Sequence, residues 1–147
     1  MQFDIEAYDG APFAGAKVAL YLGTELAVIL RDDLPDLVFA NHWDLPGGGR
    51  EGDETPMACA LRECHEELGL SVPTNAVIWG RKFREGTQAK WFFVAQLPAS
   101  AAAQVVFGDE GQRWMLMSDD MFVTHPDAVP AFRDRLRIWM RDRTASR

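Results

Sequence analysis

Two cysteines, three histidines and a deficit of basic residues set the first limits on this 147-residue chain. Cys59 and Cys64 are five positions apart in a segment that reads as helix, so they project roughly 140° away from each other. They are poorly placed to bridge, and neither has a partner at zinc-site spacing. The expectation is two small, buried, apolar side chains in a reducing, cytoplasmic setting. His42, His65 and His125 are scattered, which argues against an imidazole-rich metal centre. Against 22 Asp and Glu stand 15 Lys and Arg, a net charge of −7 that leaves no broad basic face for long nucleic acid. A small phosphorylated substrate stays open, because a bound cation can reverse the local sign of a site. No apolar run approaches the ~20 residues that a bilayer span needs, so no membrane partner is expected. The acidic opening, residues 1–10, lacks the basic stretch of a secretion signal.

What is present suits one globular domain over residues 1–147. The chain is 48% hydrophobic and 25% charged, enough apolar material for a core without staples. Strands are expected at 17–22 and 25–31 around the turn Gly23-Thr24, and a further short strand at 37–40. Two longer ones at 76–84 and 89–97 join through 85–88, and a last strand covers 112–117. Thr55 as cap, Pro56 in the first turn and Gly69 as stop bracket a helix. A second helix over 130–141 places Phe132, Leu136 and Trp139 at helical spacing. Strands and helices alternate irregularly, so the class is α/β with a central sheet.

The helix from Thr55 carries the chemistry. At ~100° per residue, Met57, Ala60, Leu61, Cys64 and Leu68 form a stripe that can pack on a sheet. Glu63, Glu66 and Glu67 occupy the neighbouring arc at i, i+3 and i, i+4 spacing. Their repulsion costs a few tenths of a kcal/mol per pair, and on an arbitrary helix they would simply form a solvated face. Here they adjoin the apolar stripe, and the glycines Gly47, Gly48 and Gly49 feed the helix. Converging hard oxygens suit Mg²⁺ or Mn²⁺. Arg62 lies beside Glu66, with Glu54 as a further ion-pair partner. Arg31, Arg50 and Arg84 are candidates to meet phosphates, and Trp43, Phe83, Trp91 and Trp114 are candidates to stack on a base or to fill the core.

The run from Gly47 to Gly52 also satisfies G-x-G-x-x-G. No regular strand–helix–strand alternation follows it, and a Glu-rich helix would repel a pyrophosphate unless a cation came between. A P-loop is excluded because no Gly-Lys-Ser/Thr follows the glycines.

The same residues fit a more specific pattern. Gly48, Glu54, Arg62, Glu63, Glu66, Glu67, Gly69 and Leu70 stand at the spacing G-x5-E-x7-R-E-U-x-E-E-x-G-U, where U is bulky and apolar. This segment resembles the Nudix box of the Nudix hydrolase (MutT-like) family, with Cys64 at a position the family usually gives to Ile, Leu or Val. The lead-in Trp43-Asp44-Leu45-Pro46 is similar as well. The resemblance implies the Nudix fold, an α/β/α sandwich with a mixed β-sheet. It implies hydrolysis of a nucleoside diphosphate linked to another group, with Mg²⁺ or Mn²⁺ held by Glu63, Glu66 and Glu67. Arg62 would orient a metal-binding Glu, Glu54 would hold Arg62, and the loop 47–49 with Arg50 would meet the substrate. A box glutamate or Glu110, between Gly108 and Gly111, would serve as general base.

Marks of particular subfamilies are missing. Gly86 stands where ADP-ribose hydrolases often carry proline, and Thr87 and Gln88 where dinucleoside polyphosphate hydrolases often carry tyrosine. The expected substrate is therefore a (d)NTP or oxidised (d)NTP, cleaved to a nucleoside monophosphate and pyrophosphate. ADP-ribose or another nucleotide sugar is the alternative. A non-catalytic nucleotide-binding module is less favoured, because every box glutamate is retained. The sequence leaves a homodimer open.

Overall fold

In a computed structural model, which describes residues 3–145, β2 (Gly15–Leu22) and β7 (Gln88–Leu97) run parallel at the centre of one eight-stranded mixed sheet. From one edge the order is β1 (Asp4–Ile5), β6 (Val77–Glu85), β7, β2, β3 (Glu25–Leu30) and β4 (Trp43–Asp44). β8 (Arg113–Ser118) pairs with β3, and β5 (Gly47–Gly49) pairs with the start of β2. The β1/β6 and β2/β7 pairs are parallel and the others antiparallel.

Alternation along the two central strands builds two cores. Ala16, Val18, Leu20, Trp91 and Phe93 face the helix α1 (Pro56–Leu68) through Cys59, Ala60, Cys64 and Leu68. On the other face Ala19, Tyr21, Phe92 and Val94 meet Phe122 of α2 (Asp119–Thr124) and Leu136 and Trp139 of α3 (Pro130–Ala145). Helices thus cover both faces, as strands buried on both sides require. No helix among the described residues is long and apolar enough to cross a membrane.

The local signals around α1 act as expected. Thr55 Oγ1 accepts the Ala58 N–H at 3.2 Å, Pro56 occupies the first turn, and Gly69 takes a left-handed φ of 67°. The buried stripe is rotated from the expected one: Cys59 is buried, whereas Met57 and Leu61 are only partly so. Both cysteines are free and buried.

Three expectations are corrected. Residues 37–40 form turns, not a strand; Phe39 and Asn41 have φ of 54° and 60°, and Val38 and Phe39 are exposed. An apolar run without a neighbouring strand has no ladder to join, and here it bridges β3 to β4. The glycines 47–49 form a strand, not a loop, because Gly15 stands opposite Gly49 and a Cβ on Gly15 would lie 2.5 Å from Gly48 O. The hairpin between β6 and β7 turns on Gly86-Thr87 alone. β1, β4 and α2 were not expected. α2 starts where Ser118 Oγ accepts the Met121 N–H at 3.1 Å, a local cap.

Phe122 is fully buried and ties this short helix to the sheet. Phe122→Ala should cost about 3–5 kcal/mol in urea unfolding at an unchanged m-value. A loss under about 1 kcal/mol would show that α2 contributes little to the core.

Candidate active site

Where α1 meets β5, one guanidinium organises the acids. Arg62 Nε and Nη2 donate to the Glu54 carboxylate at 3.0 and 2.8 Å, and Nη2 also donates to Gly49 O at 2.9 Å. Its Nη1 reaches Glu63 and Glu66, each at 3.1 Å. The bond from Arg62 pulls the Glu54 carboxyl down to about 2, and Glu54 in turn raises the guanidinium above its ordinary value. Burial pushes Glu63 up, outweighing the opposing pull of Arg62.

Glu67 differs. Its Oε1 accepts the Gly47 N–H at 2.7 Å, yet burial pushes its carboxyl up to about 7. Lys17 and that N–H pull the other way without cancelling the burial. Gly47 has φ 142°, and a Cβ there would sit 2.3 Å from Ala16 O, so a side chain would displace the N–H that Glu67 uses.

Beside these acids is a cationic pair. Lys17 Nζ donates to Asp44, Leu45 O and Gly47 O at 3.2, 3.1 and 3.0 Å. Arg31 Nη1 reaches the same Asp44 carboxylate at 3.0 Å, and Asp44 is buried. The three strands β2, β3 and β4 meet through these contacts. Lys17, Arg31, Asp44, Glu63, Glu66 and Glu67 line one cavity of about 490 Å³, which Glu110 and Gly111 close from the loop before β8. A recess of about 180 Å³ holds Glu63, Glu66, Glu67, Asp109 and Glu110 together.

The loop with Glu110 is tied at both ends, by Gly108 N–H to Glu67 O at 2.9 Å and Gly111 N–H to Asp32 at 3.3 Å. Gln112 Nε2 donates to Arg31 O at 2.9 Å and Asn41 Oδ1 at 2.8 Å, stapling this loop to the β3–β4 connection. The glycines on either side of Glu110 are thus anchored points, not free hinges.

Of the residues named from sequence, Glu63, Glu66, Glu67, Glu110, Gly47, Gly48, Gly49 and Arg31 line the cavity. Arg62 and Glu54 brace it. Arg50 does not reach it: its guanidinium lies over Phe13 at 4.4 Å and Nε donates to Glu54 O at 3.0 Å. Arg84 stays at the far hairpin, bonded to Thr87 O. Trp43 and Trp91 are buried in the core. Lys17 and Asp44 were missed, although Lys17 is the one charge in an otherwise apolar strand.

The donor set suits a hard divalent cation, since every nearby ligand is a carboxylate oxygen. Among the described residues no three of them are yet drawn together at coordinating distance. Glu63 and Glu66 are turned onto Arg62, and Glu67 onto Gly47. The part-buried Glu67, whose carboxyl its surroundings push up, is the group with most to gain from a cation.

A family model described as the NUDIX domain matches residues 18–138. An RNA pyrophosphohydrolase of Acidiphilium cryptum is 45% identical over 49 residues, covering 33% of this chain and 29% of that protein. One from Tolumonas auensis is 30% identical over 90 residues, covering 49% and 51%. The chain therefore spans about half the length, or less, of the curated relatives it matches. The MutT protein of Methanosarcina mazei Go1 superposes with a TM-score of 0.69 at 19% identity, covering 93% of this chain and 99% of that one. A C. elegans Ap4A hydrolase superposes with a TM-score of 0.68 at 18% identity, covering 89% and 98%. At such identities the likeness establishes the fold.

The raised Glu67 fixes a pH dependence. A carboxyl whose folded pKa lies above its unfolded value stabilises below the unfolded value and loses that contribution as pH rises through about 7. In metal-free protein, Glu67→Gln should therefore gain stability relative to wild type between pH 5 and pH 8, by roughly 2 kcal/mol. Urea titrations at the two pH values measure this, and an unchanged difference would refute burial as the cause.

Proposed function

Because the chain belongs to the Nudix family, we propose that it is a single-domain, divalent-metal-dependent hydrolase of a pyrophosphate bond in a nucleoside diphosphate linked to another group. The observation that carries this reading is one cavity that gathers Glu63, Glu66, Glu67 and Glu110 with the cations Lys17 and Arg31. Acids alone would repel a pyrophosphate and cations alone would hold it without activating water; the combination suits metal-assisted hydrolysis.

Glu63, Glu66 and Glu67 would hold Mg²⁺ or Mn²⁺, which when bound neutralises phosphate charge and stabilises the leaving oxygen. Glu66, the most exposed of the three, can leave Arg62 at least cost. Arg62 keeps its Glu54 and Gly49 contacts and so still orients Glu63. Arg31, on the cavity wall, would meet phosphate oxygens, and Lys17, its donors held by Asp44, Leu45 O and Gly47 O, would add positive charge nearby. Glu110 would accept a proton from the attacking water as its oxygen bonds to phosphorus and the bridging P–O bond breaks. Leu34 and Leu37 offer apolar surface on the cavity wall for a base or another apolar group.

The favoured substrate is a (d)NTP or oxidised (d)NTP, giving nucleoside monophosphate and pyrophosphate. The names of the curated relatives favour a second reading, the 5′ end of an RNA. That requires only the chain end to enter the cavity, which the net charge of −7 does not forbid. ADP-ribose and other nucleotide sugars are the remaining alternative.

Glu66→Gln and Glu67→Gln should each lower kcat by roughly 10²–10⁴ with the fold retained. Wild-type turnover in both at saturating Mg²⁺ would sink the assignment. Glu110→Gln should lower kcat by a similar factor while leaving the Mg²⁺ half-saturation unchanged; a drop below about threefold returns the base role to a box glutamate. A panel of (d)NTPs, oxidised dGTP, ADP-ribose and 5′-triphosphorylated RNA separates the substrates, with release of pyrophosphate from a triphosphate as the expected product.

A further inference from the structure

Lys17 is the one charged residue of β2, and its same-face neighbours Ala19 and Tyr21 lie in the core with α2 and α3. Its side chain is 17% exposed. On stability alone an apolar residue would serve at this position, because replacing a buried ion pair by apolar side chains of like volume is often neutral or stabilising. The lysine instead spends its whole ammonium on one short stretch of backbone and the acid beside it: Leu45 O, Gly47 O and Asp44. Its stem fills the space a side chain on Gly47 would need, since a Cβ there would lie 2.7 Å from Lys17 Cδ.

Between β4 and β5 the chain runs Asp44-Leu45-Pro46-Gly47. Proline has no N–H to anchor and glycine is conformationally permissive, so these peptide planes have few restraints of their own. Three successive carbonyls are nevertheless fixed from β2. Lys17 Nζ holds Leu45 O and Gly47 O, and the Val18 N–H holds Pro46 O at 2.8 Å. In a trans peptide the N–H points opposite to the carbonyl before it, so the Gly47 N–H faces away from β2. It meets Glu67 Oε1 at 2.7 Å. The planes on either side of that N–H are the two that Lys17 holds. The lysine's charge acts in a different sense: it favours the ionised forms of Glu63 and Glu67, but it would repel a cation brought to them.

We propose that Lys17 is a positioning residue of the metal site: by clamping the carbonyls of Leu45 and Gly47 it aims the Gly47 N–H at Glu67 and holds that carboxylate ready for a divalent cation. The inference rests on the reading of Glu63, Glu66 and Glu67 as metal ligands, but its first test needs no metal.

In metal-free protein, hydrogen exchange followed by NMR should show the Gly47 amide protected in wild type. Lys17→Met, which keeps a stem of similar length and loses the donors, should speed exchange at Gly47 by about tenfold or more while leaving the amides of β7 unchanged. Calorimetric titration of the full chain with Mn²⁺, without substrate, gives the second reading. Lys17→Met should weaken Mn²⁺ binding by about tenfold, the scale of losing a group that orients a metal ligand. The sign is decisive, because a lysine acting only through its charge would tighten Mn²⁺ binding once removed. Lys17→Gln is one bond shorter and has two donors for three acceptors. It should act in the same direction, and it decides both readings should Lys17→Met not fold. Mn²⁺ bound by these variants as tightly as by wild type, or more tightly, would overturn the proposal and leave the metal ligands standing. So would a Gly47 amide that is unprotected in wild type, or whose exchange rises no more than that of β7. A wild type that binds no Mn²⁺ would overturn the metal reading, and the proposal with it.

Discussion

The site depends on the bonds of a single guanidinium. Arg62 touches Glu54, Glu63, Glu66 and Gly49 O, and so links the start of α1, its acidic face and β5. Glu63 and Glu66, i, i+3 neighbours on one helix face, repel each other by a few tenths of a kcal/mol, and burial adds a further cost to the charge on Glu63. Arg62 offsets that repulsion before any cation arrives. The helix can then fold with its acids in place without a cation. The same bonds explain why the carboxylates point at the arginine and not at one another.

Lys17 performs the matching task on the other wall. Its three donors are all used, on Asp44, on Leu45 O just before β5 and on Gly47 O at its first residue. That holds the Gly47 N–H at the Glu67 carboxylate. Glu67 is thereby fixed in orientation while remaining short of charge compensation, since one backbone N–H and a distant ammonium do not outweigh its burial. A carboxyl held in place but poorly satisfied is preorganised for a cation.

Legibility in the sequence followed the range of the interactions. α1 could be read almost to the residue because its cap, its proline and its terminal glycine are local signals. The acidic triplet was equally visible, because helical geometry alone brings i, i+3 and i, i+4 together. β5 was read as a loop because what makes Gly47–Gly49 a strand is the close approach of Gly15, more than thirty positions away. The run 37–40 looked like a strand because composition cannot show that no partner lies alongside. Asp44 looked like an ordinary acid; only the fold brings Lys17 and Arg31 to it. Arg50 seemed a phosphate ligand from its neighbourhood in the chain, yet Phe13, distant in sequence, captures it.

Gln112 bonds across two loops, to Arg31 O and to the Asn41 side chain. One of those loops supplies the apolar wall through Leu34 and Leu37, the other supplies Glu110. The two loops are therefore mechanically coupled. If Glu110 is the base proposed above, a guest that strained the apolar wall would strain the Glu110 carboxylate with it, and an ill-fitting substrate would lose rate at the chemical step without losing its place in the cavity.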